Sequence, residues 1–286
     1  MAHEGPHVKR MDAQKEKRMA EREAVRVEKD GPIAWLILNR PEKLNAMGLD
    51  FFDRVARYFT EFDEDPEVRV AVIKAEGESF TAGIDLMELA PLVQGEGAAF
   101  REKLRKQIQK LQDAISGVER CRKPVIAAAH GHCIGGGVDL LSACDIRMAS
   151  ADTVFGIRET RMAIIADLGT LQRLPHIIGH GRFRELALTG RDFLAEEAFR
   201  IGFITHLCKD RLSLYQDAEK LAREIAQGPP LTVQGVKDVI NYSRDRGVFP
   251  GLDYVAQKNA TTLPCEDLME ALRAFMEKRP PVFKGD

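Results

Sequence analysis

Residues 124–144 have the sequence PVIAAAHGHCIGGGVDLLSAC, which sets the architecture at the centre of the chain. The run from Pro124 to Ala129 has the length and apolar character of a buried strand, and the run from Val138 to Cys144 is typical of a short apolar helix. The three glycines between them indicate a turn. Backbone can approach a ligand closely at glycine, and the first N–H groups of a helix lack internal partners. The pattern therefore favours binding of an anion, or of an oxygen that becomes negative.

Three uses of this glycine loop remain open from the pattern. A nucleotide phosphate site needs G-x-G-x-x-G or G-x-x-x-x-G-K-[ST], and the glycines at 131 and 135–137 fit neither spacing. Tight packing of a turn without any ligand is the second use. The third is an oxyanion hole, and it gains support from a second small-residue turn, SFTAGIDL at residues 79–86, which follows another predicted strand. Two converging N–H groups stabilise an oxyanion.

The elements predicted around this stretch alternate between strands and helices. Strand patterns cover residues 25–27, 33–38, 68–75 and 203–208. Apolar residues at helical spacing cover residues 52–62, 104–118 and most of the chain after residue 169. Because strands are concentrated before residue 210 and helices after it, we expect an α/β core with a helical C-terminal region.

The composition restricts the class of protein. The chain has 286 residues, of which 44% are hydrophobic and 30% charged, as in globular proteins. Its formal net charge of -2 leaves no positive excess for phosphates, so we expect no nucleic-acid partner. There is no apolar run of 18 residues, and we therefore expect no membrane segment. The five cysteines form no CxxC pair, which predicts free thiols and no metal site.

The N-terminal segment, residues 1–22, mixes acids and bases with few apolar residues and is predicted to be a charged, flexible arm. Its acids are unusual for a transit peptide. The chain ends in FKGD rather than in the Ser-Lys-Leu peroxisome signal. These two observations predict a cytoplasmic location.

Three carboxylates accompany the glycine loop: Asp139 just after it, Glu159 in FGIRE and Asp167 in IIADLG. An acid among apolar neighbours tends to have a raised pKa, which suits proton transfer near neutral pH. The same surroundings are equally compatible with a buried structural acid. From the pattern alone, both roles stay open for each residue.

The segments NRPEKLNA (39–46), TAGIDL (81–86) and GHCIGGGVDL (131–140) resemble the enoyl-CoA hydratase/isomerase, or crotonase, family. The resemblance implies an α/β fold in which a ClpP-like spiral of repeated β-β-α units occupies residues 23–210. A C-terminal helical trimerisation region would occupy residues 211–286. It further implies a homo-trimer or homo-hexamer that binds an acyl-CoA thioester, with coenzyme A as part of the substrate and no separate cofactor or metal.

Three further segments, VDL (138–140), SACDIR (142–147) and ADLGTLQRLP (166–175), resemble the Δ3,5-Δ2,4-dienoyl-CoA isomerase branch of this family. By this resemblance the backbone N–H groups of Ala82 and Gly136 form the oxyanion hole. Asp139, Glu159 and Asp167 would be the acids of the pocket. Hydratases of the family have glutamate at position 139 and no acid at position 167. The implied substrate-binding residues are Ala82, Gly83, Ile84, Asp85, Leu86, Gly136 and Lys278.

The chemistry of that branch needs acids at two separate points. Removing the C2 proton of a 3,5-dienoyl thioester spreads negative charge from the thioester oxygen to C6, where a proton returns. We expect Glu159 to act at C2 and Asp167 at C6, with Asp139 tuning or holding the other two. The alternative is 2-enoyl-CoA hydratase activity. A remote alternative is a non-catalytic, RNA-binding protein of the same fold.

Other reactive side chains have simpler interpretations. His130 and His132 flank Gly131 without a third ligand, and Cys133 and Cys144 lack a dedicated histidine partner, so packing roles are expected for all four. Lys278, in the segment FMEKR, is the candidate cation for coenzyme A. An ordinary solvated helix face explains it equally well.

Overall fold

A six-stranded sheet forms the centre of the computed structural model, which describes residues 23–286. The arm predicted for residues 1–22 lies outside the described residues. In spatial order the strands of this sheet are β1 (Val25–Asp30), β2 (Ile33–Leu38), β3 (Val70–Ala75), β4 (Val125–Ala129), β6 (Ile146–Ser150) and β9 (His206–Cys208). β1 pairs antiparallel with β2, and every later pair is parallel.

A smaller three-stranded sheet carries part of the site. Its strands are β5 (His132–Ile134), β7 (Val154–Gly156) and β8 (Asp192–Leu194), with β7 in the middle. β5 runs parallel to β7, and β8 runs antiparallel to it. Each strand has only three residues, too few for a period-2 pattern to be recognised in the sequence.

Eleven helices surround the sheets within residues 23–286. They are α1 (Leu49–Glu64), α2 (Leu86–Leu89), α3 (Gly97–Arg120), α4 (Gly136–Ser142), α5 (Thr170–Ile178), α6 (His180–Thr189), α7 (Ala195–Arg200), α8 (Arg211–Ala226), α9 (Pro230–Arg246), α10 (Val248–Thr262) and α11 (Glu266–Glu277). The predicted helices over 52–62 and 104–118 are confirmed as parts of α1 and α3. None of these helices is long and apolar enough to cross a membrane.

Strand β2 shows why this sheet lies in the core. All six of its residues are buried. Alternate side chains enter two different apolar clusters, one containing Leu36 and the other Trp35. A central strand with helices on both faces has this continuous apolar sequence, and here α8 covers the Trp35 side with Leu214 and Ala218.

The glycine stretch differs from its prediction in two details. β4 confirms the predicted strand, but the chain forms the short strand β5 before it reaches the glycines. The helix then begins at Gly136 rather than at Val138, so the second and third glycines form its first turn. Because glycine has no side chain, other segments can approach the N-terminus of this helix closely.

Candidate active site

The turn after β3 and the turn after β5 lie directly against each other. Thr81 N donates a hydrogen bond to His132 O at 2.9 Å, and Ile134 N donates to Thr81 O at 3.2 Å. A Cβ atom on Gly83 would lie only 2.7 Å from Ile134 O, and 3.6 Å from Gly136 N. Glycine at 83, with φ of 91°, is therefore required for the close approach of the two turns.

A buried polar network shapes the first turn. The Thr81 hydroxyl donates to Asn45 O at 2.7 Å and accepts from Gly83 N at 3.1 Å. Asn45 has φ of 54°, and its Nδ2 donates to Glu76 O and Ser79 O at 2.8 Å each. The NRPEKLNA segment thus fixes the backbone that leads into the turn.

Ile84 has a free N–H group in this turn, whereas Ala82, the predicted donor, does not, and this corrects the prediction for Ala82. Ala82 N donates to Leu44 O at 2.9 Å and is therefore already used. Met47 bonds the residues on both sides of Ile84, since its N donates to Gly83 O and its O accepts from Asp85 N. Ile84 N has no hydrogen-bond partner in the described part of the chain. No local pattern in the sequence indicates this difference, because the bond between Ala82 and Leu44 joins residues 38 positions apart.

The start of α4 carries Gly136, the other residue predicted to be an oxyanion donor. Gly135, with φ of 55°, donates its N–H to Gly156 O at 2.8 Å, which anchors the loop to β7. The N–H groups of Gly136 and Gly137 have no hydrogen-bond partner among residues 23–286. A Cβ atom on Gly136 would lie 3.1 Å from Ile84 Cδ1, so the two donor residues are neighbours. Ile84 and Gly136 form a pair suited to an oxyanion.

Glu159 stands beside this pair. It begins the 3₁₀ turn Glu159–Met162 after β7, and its Oε1 lies 3.3 Å from the point where a Gly135 Cβ would be. Its Oε2 is buried and has no hydrogen-bond partner among the described residues. Burial, followed by the charges of Asp139 and Asp167, raises the pKa of Glu159 to about 7. Such a carboxyl group can exchange a proton near neutral pH.

Asp139 is the most buried of the three acids, with 1% of its surface exposed. It lies in the first turn of α4 and accepts a hydrogen bond from Thr170 N at 2.6 Å. Burial raises its pKa to about 6, although the Thr170 bond and the Arg173 charge act in the opposite direction. The bond to Thr170 fastens α4 to the start of α5.

Asp167 precedes α5 and is half-buried. Burial raises the pKa of its carboxyl group, and its charge raises the pKa values of both other acids. Within residues 23–286 no group of three or more His, Cys, Asp or Glu side chains is arranged to hold a metal ion, these three acids included. The charge of each neighbouring aspartate therefore affects the pKa of Glu159, but the three carboxyl groups do not surround a position for a metal ion.

The residues predicted to line the entrance have different surroundings. Ala82 and Leu86 are exposed. Asp85 is instead a structural acid: its side chain accepts from Glu88 N at 3.3 Å, and Arg40 and Lys43 lie within 3.6 Å of it. Burial acts to raise the pKa of Asp85, but the hydrogen bond from Glu88 N, followed by the charges of Lys43 and Arg40, holds it below its usual value.

Lys278 is not brought to the site by contacts within this chain. It is exposed at the C-terminal end of α11, and its side chain makes no hydrogen bond or ion pair among the described residues. The following tail is held by Arg69, whose Nη2 donates to Phe283 O at 2.8 Å. Arg69 precedes β3, whereas the turn at residues 79–86, which carries Ile84, follows β3. The predicted coenzyme A contact of Lys278 stays a prediction.

The histidines and cysteines near the loop contact other parts of the protein. His130 is buried, and its ring nitrogens lie 3.0 Å from Gly77 O and 3.1 Å from the Tyr215 hydroxyl. Burial raises the pKa values of the Cys133 and Cys144 thiols, which leaves little reactive thiolate. The burial of His130, Cys133 and Cys144 agrees with the packing role expected for them, whereas His132 is exposed.

Thr81→Val should test the hydrogen bonds that the Thr81 hydroxyl makes within the turn at residues 79–86. Valine has nearly the same shape, but it leaves Asn45 O and Gly83 N without partners in a fully buried site. We expect the free energy of unfolding to fall by about 1–3 kcal/mol, measured by urea denaturation. The matched control is Thr60→Val on the exposed face of α1, where the hydroxyl only donates to Ala56 O in the preceding turn. Equal stability of the two variants would contradict the proposed role of the Thr81 hydroxyl.

Comparison with known proteins places these features in context. The family model described as enoyl-CoA hydratase/isomerase matches residues 28–286. A Dictyostelium discoideum protein named Delta(3,5)-Delta(2,4)-dienoyl-CoA isomerase, mitochondrial, is 43% identical over 88% of this chain and 87% of the relative. An Arabidopsis thaliana protein of the same enzyme name, peroxisomal, is 44% identical over 91% of this chain and 96% of the relative. The crystal structure of an enoyl-CoA hydratase from Bacillus anthracis is 33% identical, has a TM-score of 0.85, and aligns over 92% of this chain and 100% of that chain.

These findings confirm the predicted fold class, but they contradict the predicted cytoplasmic location. The two similar isomerases are named for the mitochondrion and the peroxisome. The prediction was wrong because it used the charge of residues 1–22 and the absence of one C-terminal tripeptide. Organelle addresses are read by receptors, so neither feature is a sufficient guide.

Proposed function

The chain belongs to the enoyl-CoA hydratase/isomerase family, and from that premise we propose that it converts 3,5-dienoyl-CoA to 2,4-dienoyl-CoA in fatty acid β-oxidation. It is an acyl-CoA isomerase of this family, as the similar proteins with that enzyme name indicate. The observation that carries the assignment is structural. Two carboxyl groups with raised pKa values, Glu159 and Asp167, accompany the free backbone N–H groups of Ile84 and Gly136.

The N–H groups of Ile84 and Gly136 bind the thioester oxygen in this proposal. When a proton leaves C2, negative charge develops on that oxygen, and the two donors are already oriented to stabilise it. Removal of one such donor typically costs ~3–4 kcal/mol in the activation free energy. The hydrogen bonds that fix Thr81, Gly83 and Gly135 keep the donors in position before the substrate binds.

Glu159 is the proposed base at C2. C2 is bonded to the thioester carbon, so the base must lie beside the oxyanion pair, and the Glu159 carboxyl group is next to Gly135. The C2–H bond breaks and its electron pair spreads along the conjugated chain to C6. Since Oε2 has no protein partner among residues 23–286, it is available to take the proton.

Asp167 is the proposed acid at C6. C6 is four bonds beyond C2, too far for one fixed carboxyl group to serve both positions. Asp167 comes from a different segment and is protonated more readily than an ordinary aspartate, because its burial raises its pKa. A new C6–H bond forms as Asp167 gives up its proton. Asp139 does not transfer a proton; its negative charge favours a proton on Glu159.

This reaction moves protons only, and no electrons are gained or lost overall. We therefore include no redox cofactor, and coenzyme A enters as part of the substrate. Lys278 remains the candidate partner for a coenzyme A phosphate. A homo-trimer or homo-hexamer is proposed from the family resemblance. Exposed apolar side chains on the last helices, such as Phe249, Phe275 and Met276, support this assembly.

Ultraviolet absorbance with two substrates tests the function. With 3,5-dienoyl-CoA we expect growth of the extended 2,4-dienoyl thioester band. With 2-enoyl-CoA we expect little loss of the enoyl band, because a hydratase needs acids that hold one water and Asp139 is engaged by Thr170. Rapid loss of the enoyl band without diene formation would instead establish the hydratase alternative.

A further inference from the structure

We propose that Arg173 is a positioning residue for this reaction: its guanidinium group fixes the 167–170 turn and thereby the relative placement of Asp139 and Asp167. This inference rests on the proposed function, since it concerns the same pair of acids. Among the described residues, the Arg173 side chain makes no hydrogen bond or ion pair with Asp139, Glu159 or Asp167. Its effect is transmitted through the backbone of the turn.

The guanidinium group covers the turn on one side. Arg173 Nη1 donates to Leu168 O at 3.3 Å, and a Cβ atom on Gly169 would lie 1.7 Å from the same nitrogen. Gly169 has φ of 124°, a conformation that favours glycine. The Arg173 backbone N–H also donates to Gly169 O at 2.9 Å. The side chain and the backbone of one residue thus hold Leu168 and Gly169, the two middle residues of the bend.

This bend connects the two acids. Asp167 is at its beginning, and Thr170, whose N–H binds the Asp139 carboxylate at 2.6 Å, is at its end. Any displacement of Thr170 N would move or release Asp139, and any displacement of Leu168 would move Asp167. A shift of about 1 Å in a catalytic group can cost ~10²-fold in rate. The bend must therefore be rigid for both acids to work together.

The rest of the guanidinium group is fastened to α3. Arg173 Nε donates to Glu119 Oε2 at 3.0 Å, and Nη2 donates to Ser116 Oγ at 2.9 Å. Only 11% of the Arg173 side chain and 17% of the Glu119 side chain are exposed. Arg244 of α9 pairs with the other oxygen of Glu119. The turn is thus connected to the long helix of the core and to the C-terminal helices.

The charged groups around these acids determine how the loss of Arg173 would change the pKa values of Asp139 and Glu159. Asp139 is influenced by Asp167 and Arg173, and Glu159 by Asp139 and Asp167. The charged or titratable groups around Arg173 are Glu119 from α3, His176 from α5, and Arg244 and Asp245 from α9. Since the Arg173 charge lowers the pKa of Asp139, its removal raises that pKa. A more protonated Asp139 repels the Glu159 carboxylate less, so the pKa of Glu159 falls.

The test compares Arg173→Gln with Arg173→Lys as full-length proteins. For the wild type we expect a bell-shaped dependence of kcat/KM on pH, with one apparent pKa near 7, the value of Glu159. Arg173→Gln should lower kcat by ~10–100-fold, leave KM within about threefold, and move the ascending limb to lower pH by ~0.5 unit. Arg173→Lys keeps the positive charge but loses the planar guanidinium group with its several donors. Its kcat should therefore fall, while the ascending limb of the pH profile stays at the wild-type pH.

Arg244→Gln is the control, because it removes the second partner of Glu119 and leaves the Arg173 bonds to Leu168 O and Ser116 intact. Its kcat and pH profile should match the wild type. Wild-type kcat in folded Arg173→Lys, or an unmoved limb in Arg173→Gln, would overturn the proposal. If Arg173→Gln does not fold by circular dichroism, kcat of the lysine variant decides. An inactive wild type would refute the proposed function itself and would be seen before any variant is compared.

Discussion

Asp167→Asn should lower kcat for 3,5-dienoyl-CoA by at least ~10²-fold, because the amide keeps the size of the side chain but cannot supply a carboxyl proton at C6. KM should change little. The proposed thioester contacts come from Ile84 and Gly136, which do not depend on the Asp167 side chain. The measurement is the initial rate of diene absorbance over a range of substrate concentrations.

A matched control for this substitution is Asp113→Asn. Asp113 lies on α3, and 72% of its side chain is exposed. It should leave kcat unchanged. A rate close to wild type in Asp167→Asn would show that the acid at 167 does not take part, and the chain would then be a general member of its family.

Glu159→Gln should have a loss of similar size, at least ~10²-fold in kcat, for a different reason. This substitution removes the base, so the dienolate never forms and the oxyanion donors have no charge to stabilise. The amide also removes the two causes that raise the pKa of Glu159, which are burial of the carboxylate and repulsion by Asp139 and Asp167, so the fold should tolerate it. The rate is measured in the same diene assay, with thermal unfolding followed in parallel.

Glu102→Gln serves as its control, since Glu102 lies on α3 with 51% of its side chain exposed. Near-normal isomerisation by Glu159→Gln, at a concentration where the control is fully active, would contradict its role as base. Asp139 would then be the remaining candidate, because it lies in the first turn of the helix that begins at Gly136.

The sequence predicted those parts of the fold that local patterns determine. Apolar spacing located α1 and α3, and the uninterrupted apolar run of β2 indicated a strand. The three-residue strands β5 and β7 were missed because they consist of too few residues to show a period. They exist because they pair with each other and with neighbouring turns.

The chemistry of the site was only partly predictable for a related reason. The glycine loop and the three acids carry residue types and a family resemblance that can be recognised in the sequence. The choice between Ala82 and Ile84 depends on a hydrogen bond to Leu44, and the setting of Asp139 depends on Thr170, 31 positions away. Bonds between residues so distant in the chain leave no local pattern. Their effect becomes visible only when the backbone partners are known.

Deuterium exchange at C2 tests most directly whether two different acids act at opposite ends of the dienolate. Each variant is incubated with 3,5-dienoyl-CoA in D₂O, and the recovered substrate is analysed by mass spectrometry and NMR. Asp167→Asn should place deuterium at C2 without forming the 2,4-diene, because Glu159 still removes and returns that proton. Glu159→Gln should show neither exchange nor product. Exchange that survives in Glu159→Gln and is lost in Asp167→Asn would contradict the assignment of the two acids.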